Sequence, residues 1–257
     1  MDSIIFKQDG NVAVLTLNRP AVFNSFNREM ALLLQQRLDE CANDKSIRAL
    51  LLTGEGKAFC AGQDLQEAMG GGDISIEKIV NEHYNPIIKR IRSIEKPIVC
   101  AVNGVAAGAG ANIALACDVV VAGSGVSFIQ AFSKIGLIPD SGGTFFLPRL
   151  IGYGKASALM MLGEKVSAYD AEKMGMIYKV VDDAGLMNTS MQLAETLAGM
   201  PTVGLGLTKR LMNESFTNDL AKQLEAEMHL QAKAAKTYDY NEGVKAFLEK
   251  RKPVFKG

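Results

Sequence analysis

The order of secondary structure is clearest in one stretch, KPIVCAVNGVAAGAGANIALACDVVVA, Lys96–Ala122. Its two ends, PIVCAV and VVVA, are short apolar runs of the kind found in strands that are buried on both faces. Between them, small residues lead directly into GANIALACD, which we predict to be a helix. Strands that alternate with amphipathic helices indicate an α/β fold built in layers.

The residues before this stretch continue the alternation. NVAVLTLNRP and IRALLLTGEG are predicted strands, and IEKIVNEHYNPIIKRIRSI is a predicted helix. Asn27 is expected to cap a further helix, REMALLLQQRLDECAND, by accepting a hydrogen bond from its first turn. In that helix Met30, Leu34, Leu38 and Cys41 follow one another at spacings of four, four and three, so they share one apolar face.

The chain changes character near residue 200, after which helices follow without strands between them. Leu220, Leu224 and Met228 form a stripe at a spacing of four, which can pack on the chain's own core or on a neighbouring subunit. We therefore predict an α/β core over residues 1–199 and an all-helical module over residues 200–257. In the core, the glycine run MGGGD is expected to be a mobile loop.

Composition excludes several classes of function. Lys plus Arg and Asp plus Glu both number 28, so no net charge favours nucleic acid or an anionic membrane as a partner. The apolar runs are shorter than the roughly 20 residues that span a bilayer, and no signal peptide is evident. His83 and His229 lie in helical segments and are interpreted as structural or surface residues. The cysteines have no zinc-ligand spacing, so we expect a cytoplasmic protein with reduced thiols and no metal; they are Cys41, Cys60, Cys100 and Cys117.

Three glycine-rich turns are candidates for chemistry: GKAFCAGQDL (56–65), NGVAAGAGANIALACD (103–118) and GLIPDSGGTFFLPR (136–149). In the second turn a strand leads into a helix, whose first N–H groups are unpaired and can hold an anion or a developing oxyanion. Tight packing of small residues is the alternative interpretation. A nucleotide site is disfavoured, because GAGANI lacks the last glycine of GxGxxG and GEGKAF is not GxxxxGK[ST].

Taken together these turns resemble the crotonase (enoyl-CoA hydratase/isomerase) superfamily. The likeness begins at LNRPAVFNSFN and continues through all three turns and SAYDAEKMGMIYKVV to GVKAFLEKRKPVFKG. It implies a spiral core of ββα units with a C-terminal helical trimerisation module, assembled as a homotrimer or a dimer of trimers. It also implies an acyl-CoA substrate, in which CoA is part of the substrate and no separate cofactor is needed.

The resemblance further implies the site residues. Two backbone N–H groups, of Gln63 and Ala109, would hold the thioester oxygen. The loop from Lys57 to Leu65 would cradle CoA, and the basic tail KRKPVFK would contact it, often across a subunit interface; a merely solvated tail is the alternative. The residues expected to contact CoA or substrate are Lys57, Ala61, Gly62, Gln63, Asp64, Leu65, Gly108, Ala109, Asn112, Phe132, Lys252 and Phe255.

Hydratases of this superfamily use two glutamates, and the resemblance implies that this chain has neither. Asn112 and Phe132 occupy those two positions. Hydration needs an acid and a base to position and split water, so ordinary hydration is not expected. Asp140 stands where hydratases generally have glycine, and one carboxylate beside an enolate site can shuttle a proton between two carbons.

Two further expectations concern Asp140. An apolar wall of Phe132, Ile138 and Phe145 or Phe146 would raise the pKa of its carboxyl and favour return of the proton. The alternative is that Asp140 caps the helix that begins at Ser-Gly-Gly, which would contribute about 1 kcal/mol.

Three stretches resemble a narrower branch, the isomerases of bacterial phenylacetate catabolism: AFSKIGLIPDSGGTFFLPR, PTVGLGLTKRLMN and YNEGVKAFLEKRKPVF. That branch converts ring-1,2-epoxyphenylacetyl-CoA to oxepin-CoA, which suits one shuttling carboxylate. Two alternatives stay open at this point. One is a Δ3,Δ2-enoyl-CoA isomerase or enoyl-CoA hydratase of fatty-acid oxidation, and the other is a non-catalytic acyl-CoA-binding member of the fold.

Overall fold

The computed structural model describes residues 2–69 and 75–257, so the predicted mobile loop MGGGD lies outside the described residues except for its first residue, Met69. Within them the strands are β1 (Ile4–Asp9), β2 (Val12–Leu17), β3 (Ala49–Gly54), β4 (Ala58–Cys60), β5 (Ile98–Val102), β6 (Val105–Ala107), β7 (Val119–Gly123), β8 (Ser127–Ile129), β9 (Lys165–Ser167) and β10 (Lys179–Val181). The helices are α1 (Arg28–Asn43), α2 (Leu65–Met69), α3 (Ile76–Ile79), α4 (Asn85–Ser93), α5 (Ala109–Ala116), α6 (Gly143–Ile151), α7 (Tyr153–Leu162), α8 (Ala168–Lys173), α9 (Leu186–Ala198), α10 (Thr202–Glu214), α11 (Leu220–Ala234) and α12 (Tyr238–Leu248).

The strands form two sheets, and from β3 to β8 consecutive strands along the chain alternate between them. A six-stranded sheet has the order β1-β2-β3-β5-β7-β10, antiparallel only between β1 and β2, and a four-stranded sheet has the order β4-β6-β8-β9. The pairs β3/β4, β5/β6 and β7/β8 each give one strand to each sheet. This repeated step from one sheet to the other is the predicted spiral of ββα units, and the α/β class is confirmed.

The predictions for α1 are confirmed in detail. Asn27 Oδ1 accepts a 3.0 Å hydrogen bond from the Met30 N–H, which satisfies an N–H group that the helix itself leaves unpaired. Met30, Leu34, Leu38 and Cys41 are all buried against the core. The apolar spacing in the sequence therefore identified the packed face of this helix correctly.

The predicted helix before the central stretch is continuous but not regular. Between α3 and α4, residues Val80–Tyr84 form a π-helical segment, and this segment buries both His83 and Tyr84. A π segment adds one residue to a helical turn, and such segments are frequent at functional sites. His83 is 1% exposed, so it is not a surface residue, and its structural role stays a prediction.

Only helices follow β10 in the described residues, as the sequence predicts for the C-terminal part. The division at residue 200 stays a prediction, because α9 is also helical and packs on the six-stranded sheet through Leu186, Ala194 and Ala198. The stripe formed by Leu220, Leu224 and Met228 is exposed in the single chain. No helix among the described residues is both long enough and apolar enough to cross a membrane.

A buried ion pair joins the C-terminal helices to the core. Lys209 of α10 donates a 2.8 Å hydrogen bond to Asp118 Oδ2, and the Ile98 N–H donates to the same oxygen at 2.9 Å. Lys209 is 4% exposed, and its burial lowers the pKa of the ammonium group while Asp118 opposes that shift. Arg92 lies 3.6 Å from the other carboxylate oxygen.

We expect Lys209→Ala to lower the free energy of unfolding by about 3 kcal/mol, because it leaves the buried Asp118 carboxylate without its nearest cation. Urea denaturation measures the change. Lys222→Ala, at an exposed lysine of α11 whose side chain is 70% exposed, is the matched control and should stay within about 0.5 kcal/mol of wild type. Equal losses in the two variants would contradict the stabilising role of the buried pair.

Candidate active site

A pocket of about 220 Å³ lies where the ends of β4 and β6 meet the loop before α6. Most of its wall is apolar, and its polar groups come from Gln63, Tyr84, Lys134 and Asp140. The complete lining is Ala61, Gly62, Gln63, Leu65, Ala68, Ile76, Ile79, Val80, Tyr84, Gly108, Ala109, Ala131, Phe132, Lys134, Ile135, Leu137 and Asp140. A mostly apolar cleft with a few polar groups is the usual form of a small-molecule site.

Gln63 presents its backbone N–H because of a single β-bridge. Phe26 pairs with Gln63 in parallel, so the Phe26 N–H donates to the Gly62 carbonyl at 2.7 Å and the Asp64 N–H donates to the Phe26 carbonyl at 2.9 Å. In such a bridge the central residue turns its own N–H away from its partner strand. Within residues 2–69 and 75–257, the Gln63 N–H has no acceptor.

Ala109 supplies the second N–H, at the N-terminus of α5. It is the first residue of that helix, so its N–H has no partner within the helix, and it carries the positive end of the helix dipole. The parallel ladder of β4 and β6 brings this helix start beside the Gln63 loop. The Gln63 loop approaches the start of α5 at Gly62, where an added Cβ would lie 3.5 Å from the Ala109 nitrogen. The two predicted donors therefore meet at one pocket.

Asp140 lies across the same pocket, in the turn before α6. Burial raises the pKa of its carboxyl from 3.8 to about 6, and hydrogen bonds from the Ser141 side chain and from its own N–H oppose the rise. The Ser141 Oγ donates to Asp140 Oδ1 at 2.8 Å. An acid with a pKa near neutrality can both accept and return a proton.

Asp140 does not cap α6, so that alternative is wrong. The N-cap of α6 is Gly142, which has a φ of 74°, and no side chain donates or accepts there. The Asp140 carbonyl oxygen, not its carboxylate, accepts the Gly143 N–H at 2.9 Å. Two successive residues with left-handed backbone, Ser141 and Gly142, turn the chain so that the carboxylate is left for the pocket.

The predicted apolar wall is correct only in part. Phe132 lines the pocket, and a Cβ added at Gly108 would lie 3.7 Å from its ring. Ile138 is 82% exposed and Phe145 stacks instead with Arg149 on the outer face of α6, so neither shields the carboxyl. Phe146 is 9% exposed but does not line the pocket. The chain turns outward at Ile138; its neighbour Leu137 lines the pocket instead, although it is 40% exposed.

Asn112 lies outside the pocket lining, in contrast to the expected contact with substrate. It is fully buried on α5, where its Nδ2 donates to the Asp140 carbonyl at 2.9 Å and its Oδ1 accepts from Gln130 Nε2 at 2.8 Å. With both ends of its amide bonded, Asn112 joins α5 to the turn that carries Asp140.

The other predicted contacts divide into two groups. Ala61, Gly62, Leu65 and Gly108 line the pocket. The remaining predicted residues do not, among those the structure describes; they are Lys57, Asp64, Lys252 and Phe255.

Three of these have other positions in the single chain. The Asp64 carboxylate pairs with Arg19 at 2.9 Å. Phe255 lines a different groove, formed by α10, α11 and α12, and Lys252 is exposed. The tail that carries both is held by Arg251, which pairs with Glu242 at 2.6 Å.

Tyr84 is the main pocket residue that the sequence did not identify. Its hydroxyl donates a 2.8 Å hydrogen bond to Gln63 Oε1, and its ring packs edge-on against Phe26 at a centroid distance of 5.9 Å. A tyrosine within an apolar helical run carries no motif, and Tyr84 is buried as the last residue of the π segment.

Because the pKa of Asp140 is raised in the folded state, the free energy of unfolding should depend on this residue and on pH. The folded state favours the protonated carboxyl, so ionisation becomes costly as pH rises from about 4 through about 6 and the full cost is present above that range. We expect Asp140→Asn to raise the free energy of unfolding at pH 8 by on the order of 2 kcal/mol and to change it little at pH 4. Urea unfolding at both pH values measures this, with Asp9→Asn, an exposed aspartate, as control. An equal effect at the two pH values would contradict the assignment.

Comparison with known proteins identifies the family of this chain. A family model described as Enoyl-CoA hydratase/isomerase matches residues 7–257. The chain is 48% identical to the 1,2-epoxyphenylacetyl-CoA isomerase of Escherichia coli K12, over all of this chain and 99% of the relative. It is 34% identical to the short-chain-enoyl-CoA hydratase of Clostridium acetobutylicum, over 98% of this chain and 97% of that one. The crystal structure of an enoyl-CoA hydratase from Bacillus anthracis superposes with a TM-score of 0.93 at 32% identity and covers 99% of both chains. The chain belongs to the enoyl-CoA hydratase/isomerase family, the crotonase superfamily.

Proposed function

We propose that the protein is an acyl-CoA isomerase that converts ring-1,2-epoxyphenylacetyl-CoA to oxepin-CoA. The observation that carries the proposal is that Asp140 is the only carboxylate among the described lining residues of the pocket, and that it faces two unpaired N–H groups. The identity to the Escherichia coli isomerase supports the choice of substrate. Asn112 and Phe132, which stand at the hydratase glutamates, supply no acid or base, so they support isomerisation over hydration.

The proposed reaction moves one proton and leaves the atoms of the substrate unchanged in number. The arene epoxide opens to its seven-membered oxepin form by shifting ring electrons, without a proton. The Asp140 carboxylate then takes a proton from the carbon next to the thioester, and the electron pair moves onto the thioester oxygen. The N–H groups of Gln63 and Ala109 would hold that oxygen, and a fixed donor of this kind typically contributes about 10²–10³ in rate.

The proton returns at the other end of the conjugated system. The protonated Asp140 delivers it to the γ-carbon in the ring, the thioester carbonyl re-forms, and a double bond results between the α- and β-carbons. A pKa of about 6 suits both halves of this exchange, because neither form of the carboxyl is strongly favoured near neutral pH. The apolar wall, Phe132 included, keeps water from the enolate.

Assembly and location belong to the same proposal. We propose a homotrimer or a dimer of trimers, supported by the exposed stripe of Leu220, Leu224 and Met228 and by Phe247, which is 83% exposed on α12. Contact of the tail residues Lys252 and Phe255 with CoA would then be made by one subunit to the site of another. A cytoplasmic location is supported by the free state of all four cysteines.

Asp140→Asn tests the shuttle directly. With substrate deuterated at the α-carbon, wild type is expected to form product with deuterium at the γ-carbon, because the same carboxyl carries it, and the variant is expected to lose isomerisation and this transfer together by about 10³-fold or more. Mass spectrometry and NMR of the product measure both. Asp9→Asn should behave as wild type. Full isomerase activity in Asp140→Asn would overturn the role of this carboxylate, and turnover of a 3-enoyl-CoA but not of the aryl epoxide would overturn the proposed substrate.

The pH dependence gives an independent test. The free enzyme needs the ionised carboxyl, so kcat/KM should be level above about pH 6 and fall about tenfold per pH unit below it. Steady-state rates between pH 4.5 and about pH 8 would show the bend. A profile that stays flat down to pH 4.5 would contradict a base with a raised pKa.

A further inference from the structure

A chain of hydrogen bonds runs from the π segment to the start of α1 and passes through Gln63. The Tyr84 hydroxyl donates to Gln63 Oε1 at 2.8 Å, and Gln63 Nε2 donates to Glu67 Oε2 at 3.2 Å. The Glu67 carboxylate accepts the Arg28 N–H, with its two oxygens at 3.0 and 3.2 Å. Both ends of the Gln63 side-chain amide are therefore held.

The first member of this chain is deeply buried. Tyr84 is 1% exposed, and burial, the largest cause, raises the pKa of its phenol well above 10. The hydroxyl is thus a neutral donor throughout the working range of pH. A buried phenol needs a hydrogen-bond partner, and Gln63 Oε1 provides it.

The residue before Gln63 is a glycine, which makes the backbone beside the Gln63 N–H easy to deform. The N–H of Gln63 belongs to the peptide that follows Gly62, and Gly62 has a φ of 93°. Glycine moves freely between regions of backbone conformation that other residues avoid. The Phe26 N–H holds this peptide at its other end, the Gly62 carbonyl, at 2.7 Å, and the Gln63 side chain adds a second attachment beside the N–H.

We propose that Tyr84 is a positioning residue for the enolate: through the Gln63 side chain it fixes the peptide whose N–H holds the thioester oxygen. This inference rests on the oxyanion role proposed above for the Gln63 N–H. A donor displaced by a fraction of an ångström still binds the ground-state carbonyl but stabilises the enolate less. The loss should therefore appear in kcat and not in KM.

Tyr84→Phe tests the proposal, because it keeps the ring and its packing on Phe26 and removes only the hydroxyl. We expect kcat to fall about tenfold, KM to stay within about twofold, and the bend of the pH profile near 6 to stay in place. Tyr178→Phe, at a tyrosine that is 63% exposed, is the matched control and should leave all three unchanged.

A second readout does not depend on the aryl epoxide. Acetoacetyl-CoA loses its α-proton easily, and its bound enolate absorbs in the near ultraviolet. We expect wild type and Tyr178→Phe to bind it largely as the enolate and Tyr84→Phe to bind it with a smaller enolate fraction. Failure of wild type to isomerise the aryl epoxide, with this signal intact, would overturn the proposed substrate but not the positioning role.

A double-mutant cycle separates positioning from direct contact with substrate. Gln63→Met keeps the backbone N–H and removes the amide, so Tyr84→Phe should cost nothing further in its presence. Gln63→Met alone also gives the test if Tyr84→Phe does not fold. The proposal would be overturned by wild-type kcat and enolate signal in Tyr84→Phe, by additive losses in the double variant, or by a wild-type enzyme that does not enolise acetoacetyl-CoA.

Discussion

The hydrogen bond from the fully buried Asn112 amide to the Asp140 carbonyl, 2.9 Å long, joins the two halves of the site. Asn112 lies one turn after Ala109 on α5, so the same short helix presents an N–H donor at its start and holds the turn of Asp140 from its side. An amide is suited to this position because it can donate to a carbonyl, whereas an ionised carboxylate only accepts.

The site combines features that are unfavourable for folding. Asp140 is ionised in an apolar pocket, the N–H groups of Gln63 and Ala109 lack partners in the described chain, and Ser141 has a φ of 51°, which is uncommon for a residue with a side chain. In the proposed reaction the first two become favourable, when an enolate oxygen meets the donors and a proton meets the carboxylate. Such sites are commonly less stable than the same fold could be without them.

Much of this arrangement could be predicted from the sequence, and the failures have physical causes. Asn27 and the apolar face of α1 followed from local rules of capping and spacing. The second sheet did not, because β4, β6, β8 and β9 have three residues each, too few for a periodic pattern. Ile138 was expected inside but points outward, since apolar character alone does not give direction in a loop. The position of Tyr84 in the pocket could not be predicted, because a π segment shifts the helical register and no local sequence motif indicates such a segment.

The proposed mechanism depends on a partly buried Asp140 carboxyl whose pKa has been raised by its apolar surroundings. NMR titration of protein with ¹³C-labelled aspartate carboxyls measures this directly, and the resonance missing from Asp140→Asn identifies the residue. We predict a titration midpoint of about 6 in the free enzyme. A midpoint near 4, the ordinary value for an exposed aspartate, would contradict the account.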